Sequence, residues 1–229
     1  MEINIHAGHN ADGKIACGAI GLIKESTEAR KVKSEVIKQL KALGHTVYDC
    51  TVNDAANVSD NLSSIVKKCN AHKVDLDVSI HFNSGRNDKK GDGDNAGVEV
   101  WIYNDSSKAK SYAEKVCKAV STLGFDNRGV KYSTGLYVLK HTNSPAMLIE
   151  CCFVDDADDI KLYNYKTMAS AIVKGITGKS VDIEEDKKKE SATDKKIYRV
   201  QCGAFNKKEN AESLQKKLKK AGFDSTIVS

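Results

Sequence analysis

Two histidines and two glutamates, far apart in the chain, stand where a hydrolytic metal centre would need them. His9 lies in Ile5-His6-Ala7-Gly8-His9-Asn10, directly after an alternating start, Glu2-Ile3-Asn4-Ile5, that reads as a first strand. Glu25 precedes an amphipathic helical stretch. His81 sits near the end of the strand-like Ser79-Ile80-His81-Phe82-Asn83, and Glu150 closes the apolar run Ala146-Met147-Leu148-Ile149. Two imidazoles and a carboxylate suit Zn2+ at a catalytic site, where a fourth position stays open for water. A further carboxylate beside that water would serve as general base. Taken singly, most of these residues have plainer readings. His9 can be a loop histidine, Glu25 a charge favoured by the helix macrodipole, and His81 a hydrogen-bonded core histidine. Glu150 is harder to dismiss, because a carboxylate directly after Met-Leu-Ile is costly to bury without a partner. No local zinc signature of the H-E-x-x-H kind is present, so the four must be brought together by the fold.

The elements that would do so can be read from hydrophobic spacing. A helix opens at Ser26-Thr27-Glu28, carries Val32, Val36, Ile37, Leu40 and Leu43 on one face, and stops at Gly44. Residues 45–50 read as a second strand and 59–71 as a second helix. Residues 74–82 alternate cleanly as a strand, with Leu76, Val78, Ile80 and Phe82 on one side and Asp77, Ser79 and His81 on the other. A polar, glycine-containing loop over 84–96 leads into a strand at 97–103 and a helix at 106–123. Residues 136–139 and 146–149 are expected to be short strands around the single proline, Pro145, and a last helix spans 163–176. This alternation predicts an α/β fold, a mostly parallel sheet flanked by helices on both faces, plus a small C-terminal βαβ unit. In such sheets the carboxyl ends of neighbouring strands converge on one edge. His9, His81 and Glu150 are all placed there.

Length and composition set bounds. The chain has 229 residues, 40% of them apolar, and a formal net charge of +5. Residues 1–178 hold 23 basic and 22 acidic side chains, whereas residues 196–229 hold 8 basic and 3 acidic, so the tail carries the excess. A basic segment suits an anionic partner such as a wall polymer, a nucleic acid or an acidic membrane, and equally a solvated lysine-rich helix face. The seven cysteines include no C-x-x-C pair. Several lie in apolar runs, which points to folding in a reducing compartment rather than a disulfide framework. No signal peptide is expected before the first strand and no apolar run approaches a membrane span. The expectation is synthesis in the cytoplasm and release by another route. Residues 179–195 are almost entirely polar and charged and read as a linker between a domain over 1–178 and a tail over 196–229.

Several segments resemble the zinc-dependent N-acetylmuramoyl-L-alanine amidases of the type 3 amidase family, cell-wall hydrolases of bacteria and phages. They are Ile5-His6-Ala7-Gly8-His9-Asn10, Lys24-Glu25 with the helix behind it, Ser79-Ile80-His81-Phe82-Asn83, residues 128–139, and Pro145-Ala146-Met147-Leu148-Ile149-Glu150. The resemblance covers about residues 1–178. It implies zinc held by His9, Glu25 and His81, and Glu150 as the catalytic glutamate. It also implies peptidoglycan as substrate, cut between the lactyl group of N-acetylmuramic acid and L-alanine. Two departures stand out. His6-Ala7 replaces the family's usual Asp-Pro, so His6 is given a supporting role. Glu28 competes with Glu25, but only Glu25 places Val32, Val36 and Leu40 on the family's apolar helix positions. The alternatives are a zinc peptidase or deacetylase on the same site, or a wall-binding protein on an inactive amidase fold.

The tail alternates as a strand over 197–205, continues in a helix with Ala211, Leu214, Leu218 and Ala221, and ends in a strand over 223–228. It resembles the first half of a sporulation-related repeat (SPOR) domain, a module that binds peptidoglycan glycan strands. Some 34 residues are too few for an independent core, since domains below about 40 residues usually need outside help. The expectation is therefore either a homodimer through paired tails or an incomplete half-domain, with no nucleic-acid partner.

Overall fold

In a computed structural model of the chain, the structure describes residues 1–180, 203, 205–222 and 227. Two compact units are distinguished, Met1–Ile183 and Glu184–Ser229. In the first, six strands form one sheet: β1 (Glu2–Ala7), β2 (Thr46–Asp49), β3 (Leu76–Asn83), β4 (Val98–Ile102), β5 (Asn127–Tyr132) and β6 (Ala146–Phe153). Their order across the sheet is β2-β1-β3-β6-β4-β5. All neighbouring pairs run parallel except β4 and β6, which are antiparallel.

The reversal matters for the site. A strand entering the sheet antiparallel to β6 brings its beginning, not its end, to the edge where β1, β3 and β6 finish. Glu99, the second residue of β4, is thereby set opposite Glu150.

Helices cover both faces. On one, α1 (Glu25–Ala42), α3 (Lys110–Ser121) and α6 (Tyr165–Thr177) pack over a core containing Ile3, Ile5, Val78, Ile80, Met147 and Ile149. Val32, Val36 and Leu40 of α1 and Met168 and Ile172 of α6 are completely buried. Their spacing of three or four residues puts them on one stripe. On the other face, α2 (Val58–Asn70) and the short α4 (Tyr137–His141) enclose a smaller core of Cys50, Ile65, Val66, Val138, Leu139, Ala146 and Leu148. Because side chains alternate along a strand, β3 gives its aliphatic residues to the first face and Asp77, Ser79 and His81 to the second. Buried polar groups pair there: Asn4 Nδ2 donates to Asp77 Oδ1 at 2.6 Å and to the Cys69 carbonyl at 2.9 Å, while Asn4 Oδ1 has no hydrogen-bond partner among the described residues. Burial pushes the Asp77 carboxyl up to about 6.

Three local readings change. Residues 136–139, expected as a strand, belong to the turn of helix α4, closed by Lys140 N–H to the Leu136 carbonyl at 3.0 Å. Val138 and Leu139 are adjacent apolar residues that a helix turn and a strand would both bury, and here α2 supplies the covering surface. Strand β5 was absent from the expected elements because, as an edge strand, it is largely exposed and shows no apolar alternation. Helix α5 (Ala157–Leu162) was also unforeseen. Asp156 caps it, accepting from the Asp158 and Asp159 amides.

In the second unit the described residues form helix α7 (Lys208–Lys220), which covers the tail's expected helix. The two expected tail strands and most of the linker lie outside the described residues. No helix among the described residues is long and apolar enough to cross a membrane.

Candidate metal centre

The site is assembled at the carboxyl edge of β1, β3 and β6. β1 ends at Ala7; Gly8 donates its amide to the Ile80 carbonyl at 2.9 Å, and the chain then turns at His9. A side chain on Gly8 would overlap the His81 ring. His9 has φ 61°, in the left-handed region that costs an L-residue about 1–2 kcal/mol. The turn is held in place by Arg30 of α1, whose guanidinium donates to the carbonyls of His9 (2.9 Å), Ser26 (2.9 Å) and Val52 (3.1 Å) and to Asn53 Oδ1 (3.0 Å). Asn10, completely buried, then ties the following loop down, donating to the carbonyls of Ile15 and Ala55 and accepting from the Ala55 amide and Asn61 Nδ2.

Glu25 is the first residue of α1, one residue earlier than the predicted helix start, and is 3% exposed. Its Oε1 lies 3.0 Å from His81 Nδ1 and 3.2 Å from His9 Nε2, and accepts from the Phe82 amide at 3.2 Å; its Oε2 accepts from the Ala19 amide at 2.8 Å. Burial raises this carboxyl, but hydrogen bonds and charge from His81 and His9 outweigh it and hold the group well below the usual carboxylate range. The two imidazoles meet edge to face, with centroids 4.9 Å apart.

His9, Glu25 and His81 thus each offer one ligand atom, all within 4.8 Å of one another. Tetrahedral zinc with bonds of about 2.0–2.1 Å needs ligand atoms about 3.3 Å apart. The separations of 3.0 and 3.2 Å from the carboxylate fit that requirement. Glu28, the competitor for Glu25, is engaged elsewhere, accepting from Lys31 Nζ at 2.8 Å and Tyr163 OH at 3.0 Å.

Glu150 stands outside the triad on the adjacent strand, as the register partner of His81. Its Oε2 is buried and has no hydrogen-bond partner among the described residues. Burial, reinforced by the negative charges of Glu25 and Glu99, raises its carboxyl to about 8. An enclosed, unpaired carboxyl oxygen is expensive to keep, and a strongly perturbed carboxyl beside a metal-ligand group is a candidate for chemistry. His6 lies beneath the site, 2% exposed, with Nδ1 3.4 Å from Ser79 Oγ. Burial and the neighbouring His81 lower its pKa to about 3, so it stays neutral. A second group, Asp88, Asp156 and Asp158, also clusters, but Arg86 Nε lies 3.4 Å from Asp156 and Lys161 Nζ 2.6 Å from Asp158, so protein cations answer its charge.

Sequence reasoning did not single out Arg30, Asn10 or Glu99. Their signal is weak because each acts through backbone carbonyls or a cross-strand register, which residue spacing does not encode.

Residues 3–178 match the family model described as N-acetylmuramoyl-L-alanine amidase, and residues 194–229 match the SPOR domain. The chain is 35% identical over 198 residues to the uncharacterized protein CPE1502 of Clostridium perfringens (strain 13 / Type A), an alignment covering 85% of this chain and 56% of that protein. It therefore spans little more than half of that relative's length. Over 233 residues it is 25% identical to the sporulation-specific N-acetylmuramoyl-L-alanine amidase of Bacillus subtilis (strain 168), covering 100% of this chain and 84% of that protein. Among solved structures, the catalytic domain of the CD27L endolysin targeting Clostridia Difficile superposes with a TM-score of 0.69 at 26% identity, covering 80% of this chain and 99% of that one. With the family match running through every strand of the sheet, this chain belongs to the N-acetylmuramoyl-L-alanine amidase family.

Proposed function

We propose that this chain hydrolyses the amide between the lactyl carbonyl of N-acetylmuramic acid and the α-amine of L-alanine in peptidoglycan. The observation that carries the reading is the His9–Glu25–His81 group with the unpaired Glu150 carboxyl beside it. The family is generally zinc-dependent, and here His9, Glu25 and His81 would hold the ion. When bound, zinc supplies Lewis acidity, lowering the pKa of water and polarising a carbonyl. In its ionised form, which the charge of a bound zinc ion would favour, Glu150 would take the proton of the attacking water and deliver it to the departing alanine amine, so a single carboxyl serves as base and then as acid. Arg30 keeps the His9 turn fixed while this happens, and the buried, neutral His6 backs His81 without competing for protons.

The reading is tested on purified cell walls. Turbidity should fall with the enzyme, a chelator should abolish the fall, and mass analysis of the products should find new L-alanine amino termini. Fragments that keep muramoyl-alanine intact refute the assignment and favour a peptidase.

The tail's match to the SPOR domain suggests that it holds the enzyme on glycan strands. Since the sequence of 196–229 reads as one βαβ half, two tails are proposed to pair in a homodimer, which would also strengthen wall binding by linking two sites. Light scattering should then give a dimer for the full chain and a monomer for a chain ending at Gly178. A monomer in both cases refutes the pairing.

A further inference from the structure

Past Glu150 the row of polar side chains continues across the sheet. His81 on β3 pairs in register with Glu150 on β6, and Glu150 pairs with Glu99 on β4. Glu99 is 4% exposed, and both its oxygens are engaged. Oε1 accepts from Asn83 Nδ2 at 2.9 Å and Trp101 Nε1 at 3.1 Å, and Oε2 accepts from Arg128 Nε at 2.8 Å. Arg128 belongs to the edge strand β5, and its side chain is 39% exposed. Its guanidinium lies over the Phe153 ring, 5.1 Å from the centroid.

This is unlike an ordinary surface ion pair, where two long side chains lose entropy for little gain. Here the acid is buried and fixed by two other donors, and the arginine is fixed in turn through Nε and through its flat face. Nη1 and Nη2 are left with no partner among the described residues. A planar fork with its orientation set and its outer donors free is suited to a carboxylate.

We propose that Arg128 binds a free carboxylate on the peptide side of the substrate, at the second or third residue beyond the scissile amide. The inference rests on the amidase reading above. β5 is two strands from β6, and strands lie about 4.8 Å apart, so the backbones that carry Arg128 and Glu150 are offset by about 10 Å. An extended peptide covers that span in about three residues. The glycan side is excluded by its chemistry, because the lactyl carboxyl is consumed in the amide being cut. Glu99 is then a positioning residue, aiming Arg128 and leaving the chemistry to its neighbour on β6.

The test uses the full, zinc-loaded chain and two muramoyl-L-alanyl peptides that differ only in whether the acidic groups of the second and third residues are free or amidated. For the unaltered enzyme, amidation should raise KM about 10–100-fold, the range expected for a charge-assisted hydrogen-bond pair, with kcat changed less than about threefold. Arg128→Met should raise KM on the free acid by a similar factor and show little further loss on the amidated peptide. Arg128→Lys, which keeps the charge but not the fork, should fall between. If the unaltered enzyme cleaves both peptides equally well, the proposal fails whatever the variants do. Equal losses by Arg128→Met on both peptides overturn it in favour of a purely structural role. If the unaltered enzyme cleaves neither peptide, the amidase reading itself has failed.

Discussion

Glu150→Gln should abolish wall lysis while zinc content stays near one per chain. The amide is nearly isosteric with the carboxyl, and Glu150 lies outside the group of possible ligands, so neither the fold nor the metal requires its charge. What is lost is the proton acceptor. General base catalysis is worth about 10²–10⁴ in rate, and the loss should appear in kcat with KM little changed. Stability should not fall, because the substitution puts no extra volume in the site and removes an acid that Glu25 and Glu99 repel. Turnover of a soluble muramoyl peptide, paired with elemental analysis, reads both quantities. Full activity in Glu150→Gln would remove the residue from the mechanism.

The second large effect is expected at the proposed ligands, and it has the opposite signature. His81→Ala and His9→Gly should lose zinc and activity together. His9→Gly is the more informative of the two, because His9 sits at φ 61°, where glycine carries no steric penalty. The substitution relieves about 1–2 kcal/mol of left-handed strain and gives back about 0.5–1 kcal/mol through the greater freedom of glycine in the unfolded chain. The remaining gain is set against the lost contacts of the His9 ring with Glu25 at 3.2 Å and with the His81 ring, so thermal unfolding in the presence of chelator should differ little from that of the unaltered chain. His81→Ala instead removes a ring packed against Gly8 and should lower stability as well as metal content. Undiminished zinc in either variant would count against that residue as a ligand.

Much of this arrangement was legible in the sequence, and what was not has a physical reason. The strong periodicities of α1 and β3 announced themselves because each buries one face completely, as Val32, Val36 and Leu40 or Leu76, Val78 and Ile80 do. β5 escaped notice because an edge strand with little buried surface has no pattern to show. The stretch around Val138 and Leu139 was misread because two adjacent apolar residues are too short a sample of any period. At the site, His9, Glu25, His81 and Glu150 stood out as chemically able groups. Arg30 did not, because an arginine on an amphipathic helix looks like a solvated charge until its guanidinium is seen on three carbonyls. The choice of Glu25 over Glu28 depended on family likeness, whereas in the structure Tyr163 and Lys31 occupy Glu28.

The antiparallel entry of β4 has a consequence for how such an enzyme can change. It divides the working edge into two parts with different inheritance. The turn after β1, strands β3 and β6 and the start of α1 carry His9, His81, Glu150 and Glu25, the groups proposed to hold the metal and move the proton. β4 follows residues 84–97, whose Gly85, Arg86 and Asn87 amides donate to Asp155 and whose Gly97 amide donates to Asp159, both just past β6, and neither β4 nor β5 carries a proposed ligand. On the proposed function, a mutation on β4 or β5 is expected to alter which peptide is read, and one on the other side whether any wall is cut. Under that proposal the two halves of the edge can change separately, and an engineer who wants a different peptide specificity should begin at β4 and β5.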